Sequence, residues 1–377
     1  MAVTGPAAGP VAVSVPVRTL AAVPTTRVSS EAIGDVAGDA QVAPGGDAPP
    51  AGGFPEEALD RYRAELFAHC YRMTGSVHDA EDLVQETYLR AWRSFHTYEA
   101  RSSLRTWLHR IATNVCLTAL ASRQRRPLPS GLGAEPADPR GELTTDGEVP
   151  WLEPVPDARV GAGPGAGDPA GVVAARESVR LAFVAALQHL PPRQRAVLLL
   201  RDVLAWRAAE VADLLGTSVA AVNSALQRAR GQIEQLAATP EETREPESAE
   251  LRALLDRYVS AFERYDVGGM VELFTADAVW EMPPFTGWYR GGEAITTLIA
   301  GNCPAQAAGD MRMVPTSANG QPAFGLYMRG ADGVHRAFQL QVLDLAATAD
   351  GVRVGHVVAF FDPGLFDRFG LPEALAD

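Results

Sequence analysis

The sequence predicts a multi-domain protein: two all-α domains, a helical bundle and a helix-turn-helix, then an α+β domain, all behind a disordered N-terminal tail. Three observations predict it. A chain of 377 residues exceeds the roughly 100–200 residues of one ordinary domain. Between 59 and 236, apolar residues recur at three- and four-residue steps, the period of amphipathic helices. Beyond 251 the pattern changes to apolar and β-branched runs separated by Asn-Gly and Asp-Gly pairs, which mark strands joined by tight turns.

Residues 1–58, rich in Ala, Pro, Val and Gly without a sustained period, cannot bury enough surface to offset chain entropy and read as a disordered tail. From there Leu59, Tyr62, Leu66, Cys70 and Met73 trace one helix, stopped by Thr74-Gly75. Ser76 is placed to cap a second, with Asp79 and Glu81 in its first turns. Its inward stripe is Ala80, Leu83, Val84, Thr87, Tyr88, Ala91, Trp92 and Phe95. A third helix begins near Ser102 or Ser103 with the stripe Leu104, Trp107, Leu108, Ile111, Ala112, Val115 and Ala119, leaving Arg105, His109, Arg110 and Asn114 outside. Pro127 ends it, closing a domain over 59–126.

Residues 127–176 are dense in Pro, Gly, Asp and Glu and read as a flexible, solvated linker. One island, Trp151-Leu152-Glu153-Pro154, is apolar enough to dock on something. A second helical domain, 177–238, sets Val179, Phe183, Leu187 and Leu190 on one face, breaks at Pro191-Pro192 and resumes from Gln194. Val211, Leu214 and Leu215, the turn Gly216-Thr217-Ser218, then Val219, Val222, Leu226 and Ala229 give helix, glycine turn, helix. The last domain, 248–377, predicts helices over 251–265, 268–274 and 293–300 and strands over 278–282, 324–329, 334–343 and 352–361. Helices followed by an antiparallel meander make an α+β fold with helices on one face of a curved sheet.

Composition narrows the function. No stretch approaches the roughly 18 uninterrupted apolar residues of a membrane span, and no basic start with a compact apolar run marks a secretory signal, so a cytoplasmic location without membrane contact is expected. Cys70, Cys116 and Cys303 stand far apart without a Cys-x-x-Cys pair, which argues against a disulfide framework and the usual zinc spacings. Cys70 and Cys116 fall on inward stripes and read as small packing residues. The net charge of −13 conceals an asymmetry. Residues 59–126 hold eleven arginines against seven acidic residues, and 177–238 hold seven against five, whereas 239–377 hold ten against twenty. Two basic blocks among acidic segments suit two faces directed at nucleic acid.

Each basic block carries a matching constellation. On the second helix Asp82, Gln85, Glu86 and Arg90 line an outward face. A loop with Tyr98 and Arg101, followed by a helix with Arg105, Arg110 and Asn114 outward, supplies cations for phosphates and an aromatic for an unstacked base. In the second block Ser218, Ala221, Asn223, Ser224, Gln227, Arg228 and Arg230 are presented by one helix, whose first residues would meet base edges and whose arginines would meet phosphates.

The runs Asp79-Ala80-Glu81-Asp82-Leu83-Val84-Gln85-Glu86-Thr87, Leu104 to Asn114 and Ser218 to Arg230 resemble bacterial sigma-70-family factors of the extracytoplasmic-function group. The resemblance covers about Leu59 to Leu236. It implies a first sigma domain that binds the core RNA polymerase through Asp82, Gln85 and Glu86 and melts the minus-ten element, and a second that reads the minus-thirty-five element of promoter DNA. Thr118 stands where many such factors carry aspartate, and Asn223-Ser224 where many carry lysine or arginine, so the promoter sequence does not transfer from relatives. Trp151-Leu152-Glu153-Pro154, Asn319-Gly320-Gln321-Pro322 and the stretch from Leu251 to Phe361 resemble the subgroup with a cone-shaped C-terminal SnoaL-like domain. Cone relatives include enzymes with a buried carboxylate in an apolar cavity. Glu281, Arg290, His335, Asp344 and His356 are candidates, with Trp280, Trp288, Tyr289 and Phe338 as walls, but they form no specific acid–base motif. The expectation is a transcription initiation factor modulated by its C-terminal domain, with no catalytic residue, metal or cofactor, and with an unidentified small-molecule ligand of that domain as a further candidate partner. Two alternatives stand beside it: a DNA-localised isomerase or hydrolase of the SnoaL-like type, and a helix-turn-helix repressor.

Overall fold

Three capped helices build the first domain. In a computed structural model that describes residues 56–98, 102–161, 176–236 and 248–375, they are α1 (Glu56–Thr74), α2 (Val77–Ser94) and α3 (Leu104–Leu120). The tail predicted for 1–58 lies outside the described residues up to residue 55, and α1 starts at Glu56, taking in the last three residues assigned to that tail. Ser76 accepts the Asp79 N–H at 3.1 Å and Ser103 accepts the Thr106 N–H at 3.1 Å, each satisfying one orphan donor of a helix start. Leu66, Cys70 and Met73 meet Ala80, Leu83, Val84, Ala91, Leu108, Ala112 and Val115 in the core.

Two residues depart from the predicted stripes. Trp92 is 40 % exposed, because at 100° per residue it falls about 120° from Ala80 around the helix. His109 is buried. α3 packs on α1 as well as α2, and the His109 ring meets His69 of α1 edge-on at 5.5 Å, so its covered arc is wider than one stripe.

The second domain comprises α4 (Leu181–Gln188), α5 (Pro192–Leu198), which continues through a π-turn at Leu199–Val203, α6 (Ala208–Leu214) and α7 (Val219–Leu236). Pro192 opens α5, where its missing N–H has no role. Gly216 takes φ +59 between α6 and α7, a conformation suited to the residue after a helix C-terminus.

The third domain orders α8 (Ser248–Glu263), α9 (Val267–Met270), β1 (Phe274–Glu281), β2 (Trp288–Arg290), α10 (Gly292–Asn302), β3 (Met311–Ala318), β4 (Gln321–Arg329), β5 (His335–Thr348), β6 (Gly351–Phe360), α11 (Leu365–Arg368) and β7 (Ala374–Leu375). The strand order is β2-β1-β6-β5-β4-β3, with β7 paired to β5. The expected antiparallel meander runs from β3 to β6, but β1 joins β6 in parallel. β3 was not expected as a strand: Pro315 lies in its middle, which an edge strand tolerates and a central one does not. Helices α8, α9 and α10 cover one face, where Tyr258, Phe262, Met270, Ile295 and Leu298 pack on Trp280, Phe324, Leu343 and Val357. The opposite face, with Ala318, Ala323, Leu340, Val342, Val358 and Phe360, shares one continuous core with the two helical domains.

The tract read as a flexible, solvated linker is, over 127–161, docked. Leu128, Leu152, Val155 and Val160 are buried in that shared core. Ala137 N–H donates to Trp288 O at 2.7 Å, Thr286 N–H to Thr144 O at 2.9 Å and Glu153 N–H to Gly75 O at 3.0 Å. Its prolines reduce what the tract loses in entropy on docking, and its backbone groups are left to pair with the chain around β2.

Gly75 is required twice over. Its φ is +71, and a Cβ there would sit 2.8 Å from Leu152 Cδ1. Gly75→Ala is expected to cost about 1–2 kcal/mol from the left-handed backbone alone, more with the clash, and calorimetry of the full chain would show the lowered unfolding temperature.

Candidate functional site: exposed helical faces around a buried junction

α2 presents the predicted polar face. Asp82 and Gln85 are exposed, Glu86 is half-buried, Asp82 lies 3.7 Å from His78 Nε2, and Glu86 pairs with Arg90 at 2.6 Å. One turn further, Leu89 and Trp92 are exposed at 51 % and 40 %. The face is therefore mixed, acidic at one end and apolar at the other. Leu89, three residues from Glu86 and outside the inward stripe, was recognisable by that spacing.

The minus-ten candidates are not equally available. Tyr98 donates to Ser102 O at 2.7 Å and its ring lies against Phe95 and Trp107 at 5.8 and 5.2 Å. Arg105 is paired with Glu65. Arg110 reaches across to Asp213 of α6 at 2.7 Å, so one domain's cation meets the other's carboxylate. Asn114 is exposed, and Arg101 lies outside the described residues.

On α7 the seven predicted residues share the solvent side. Ser218 Oγ accepts the Ala221 N–H at 3.2 Å as a cap. Ser218, Ala221, Asn223, Ser224, Gln227, Arg228 and Arg230 are exposed, while Val222, Leu226 and Ala229 are buried. Arg230 makes a two-pronged pair with Asp202 at 2.7 and 2.9 Å.

The predicted cavity residues of the third domain are split between two faces of the sheet, with Trp280 opposite Tyr289 on one and Glu281 opposite Trp288 on the other. Successive strand residues point to opposite faces. Trp280 thus lies in the helix-covered core against Phe262 and Phe274, while Glu281 lies on the other face. Tyr289 is buried with Trp280, whereas Trp288 donates from Nε1 to Ala134 O at 2.8 Å under the Arg290 guanidinium at 5.1 Å. His335 contacts Gly309 O at 2.9 Å, and Phe338 meets Phe361 edge-on at 5.3 Å. Asp344 pairs with Arg180, which leads into α4. Glu281, almost wholly buried, contacts His356 Nε2 at 2.8 Å and accepts the Ser130 N–H of the docked tract at 2.7 Å. Burial opposes the charged His356 ring, but Glu281, and after it Asp344, outweigh burial and raise its pKa above the ordinary histidine value.

The two motifs left over from the helical domains meet at one point. Asn319 and Gly320 join β3 to β4 with φ +56 and +71, the positive pair a two-residue type I′ hairpin turn requires. Asn319, fully buried, donates from Nδ2 to Tyr71 Oη at 2.8 Å and to Val179 O at 2.7 Å. Its Oδ1 accepts the Val155 N–H at 2.9 Å, and its own N–H returns to Val155 O at 2.9 Å. Gln321 Oε1 accepts the Leu181 N–H at 2.9 Å. Next to this turn, Leu152 fills the space over Gly75. Glu153 accepts from Ser76 Oγ at 2.9 Å and from the Val77 N–H at 3.0 Å, holding its carboxylate at the start of α2, where the helix dipole favours it. Tyr71 donates to Glu153 O at 2.7 Å.

A helical bundle with a mixed outer face, a helix-turn-helix with a polar outer face and an α+β domain packed against both suit a DNA-directed transcription protein. Residues 58–126 match Sigma-70 region 2, residues 180–233 match Sigma-70, region 4, and residues 255–362 match the SnoaL-like domain. The chain is 62 % identical over 315 residues to the ECF RNA polymerase sigma factor SigG of Mycobacterium tuberculosis, covering 83 % of each, and 32 % identical over 320 residues to SigJ of the same organism, covering 82 % of this chain and 92 % of that one. The crystal structure of SigJ superposes with a TM-score of 0.56 at 25 % identity, over 84 % of this chain and all of that one. The chain belongs to the extracytoplasmic-function RNA polymerase sigma factors, which recognise promoters and initiate transcription. The repressor alternative gives way to that membership. Among the described residues no helix is long and apolar enough to cross a membrane.

The Glu281–His356 pair has a pH signature. With His356 raised in the folded chain, its contribution is complete below the unfolded value of about 6.5 and is lost as pH rises through the folded one. The stability difference between wild type and His356→Gln is therefore expected to be largest near pH 6 and to shrink on the alkaline side, read by urea unfolding at a series of pH values.

Proposed function

We propose that this sigma factor acts in the cytoplasm with core RNA polymerase and promoter DNA, and that its C-terminal domain and the docked tract hold the two sigma domains in a closed arrangement. Asp82, Gln85 and Glu86, joined by Leu89 and Trp92, form the core-polymerase face. Tyr98, Arg101, Arg105, Arg110 and Asn114 serve the minus-ten element, and Ser218, Ala221, Asn223, Ser224, Gln227, Arg228 and Arg230 the minus-thirty-five element. The domains are 59–126, 177–238 and 248–377, with 127–176 as the regulatory connection through Trp151, Leu152, Glu153 and Pro154. The C-terminal domain works as a clasp rather than an enzyme: Glu281, His356 and Asp344, the groups a cone enzyme would use, are spent on Ser130, on each other and on Arg180.

The observation that carries this reading is the Asn319 amide, which bonds the first domain, the tract and the entry to the second domain at once. The Arg110–Asp213 pair gives the closed form its sign. It is solvent-exposed and worth under about 1 kcal/mol, so it does not hold the domains, but it occupies an arginine meant for DNA.

Asn319→Ala leaves Val155 N–H and Val179 O unpaired in the closed form, at about 1–3 kcal/mol each. Run-off transcription with purified core polymerase is expected to rise several-fold over wild type. Equal yields across salt concentrations would reduce the C-terminal domain to a passenger. Separately, Asp82→Arg with Glu86→Arg is expected to weaken core binding at least tenfold in a pull-down with the fold intact, since exposed reversals cost little stability but create repulsion at a docking face.

A further inference from the structure

The interior of the first domain holds two thiols in contact. Cys70 on α1 and Cys116 on α3 are both fully buried, with Cys116 Sγ 3.7 Å from Cys70 Sγ. Both face the same core from helices that the chain leaves 46 residues apart. A disulfide needs its sulfurs about 2.05 Å apart, so bond formation asks for a closure of about 1.7 Å between two helices already packed together. Cys303 is elsewhere, in the third domain beside Met311 Sδ at 3.9 Å.

The pair is roofed by the second domain. α5 packs on α3 and α1, and from it Arg195 inserts a buried guanidinium over the end of α1. It donates to Met73 O, to Gln188 Oε1 at 2.8 Å, to Gln188 O at 3.3 Å and to Leu190 O at 3.1 Å. With that roof in place, the contact with Cys116 and then burial hold the Cys70 thiol well above its ordinary pKa, the condition of an inert thiol. Lifting α5 removes the cover.

We propose that Cys70 and Cys116 form an intramolecular disulfide site, oxidised by a hydroperoxide when the second domain lifts from the first; this rests on the closed arrangement proposed above. One thiolate attacks the terminal peroxide oxygen, the O–O bond breaks, and the sulfur becomes a sulfenic acid as alcohol, or water from hydrogen peroxide, leaves. The second sulfur attacks the first, the S–S bond forms, and the hydroxyl leaves with the remaining thiol proton as water. Two electrons pass from the two sulfurs to the peroxide. The product ties α1, which carries Tyr71 of the junction, to α3, which carries Arg110 and Asn114.

The test treats full-length wild type and full-length Asn319→Ala with hydrogen peroxide, quenches, unfolds the chains in denaturant to alkylate the remaining thiols and maps tryptic peptides. Cys70 and Cys116 fall in different fragments, 64–72 and 111–123, so their linkage is read directly. The expected result is a reducible cross-link between those fragments, loss of two of the three alkylatable thiols, Cys303 still alkylated, and formation about tenfold faster in Asn319→Ala. A Cys303→Ser chain, unaltered in the pair, gives the same cross-link. Both thiols still alkylated in both folded proteins, or cross-links only through Cys303, would overturn the site. A cross-link formed at equal rates in wild type and Asn319→Ala would overturn its dependence on opening, whereas transcription by Asn319→Ala judges the closed arrangement by itself.

Discussion

One buried amide sets the arrangement of everything around it. Asn319 has two N–H donors and one carbonyl acceptor in its side chain, and all three are used on three different segments of the chain. A satisfied hydrogen bond of this kind contributes only about 0.5–1.5 kcal/mol, but an unsatisfied buried partner costs about 1–3 kcal/mol. The asymmetry makes the junction cooperative: losing one segment strands the groups of the other two. The left-handed turn that presents Asn319 is one that asparagine and glycine tolerate and bulkier residues do not, and a Cβ on Gly320 would lie 3.0 Å from the Arg176 backbone.

The charges around the junction play a lesser part. Glu153 answers the start of α2 and lies 3.6 Å from Arg126 and 3.5 Å from Arg368, so the segment that docks also sets the electrostatics of the helix expected to meet the polymerase. Arg72 and Arg195 are buried guanidiniums, each lowered to about 10 by desolvation; Arg195 bonds amide and carbonyl oxygens through both terminal nitrogens, while its Nε has no partner among the described residues. Such groups are costly to bury and more costly to leave unpaired, which favours two well-defined arrangements over a continuum.

What was readable in the chain was what is decided locally. Ser76 and Ser103 announced helix starts, Pro191-Pro192 announced a break, and Asn319-Gly320 announced a tight turn, because each acts within a few residues of itself, whereas α3 ends at Leu120, ahead of the Pro127 expected to stop it. The exposed face of α7 followed from a period of 3.6. The docked tract was not readable, since its Pro, Gly and acidic composition is that of a solvated chain and its partners are remote: Ser130 meets Glu281 across 151 positions. The parallel pairing of β1 with β6 has no local signature either. The candidate cavity residues are divided by strand alternation, which sends Trp280 and Glu281 to opposite sides of a sheet both of whose faces are covered.

The docking of 127–161 also acts on length. Between the two sigma domains the chain has 50 residues, 127–176, with a maximum reach of about 165 Å at 3.3 Å each. With the tract docked as far as residue 161, the length of chain from there to residue 176 cannot exceed about 50 Å. Promoter elements two helical turns apart lie about 70 Å from each other. In the closed arrangement proposed above, holding or paying out chain would let the C-terminal domain set how far the two sigma domains can part, a reel whose catch is a single asparagine.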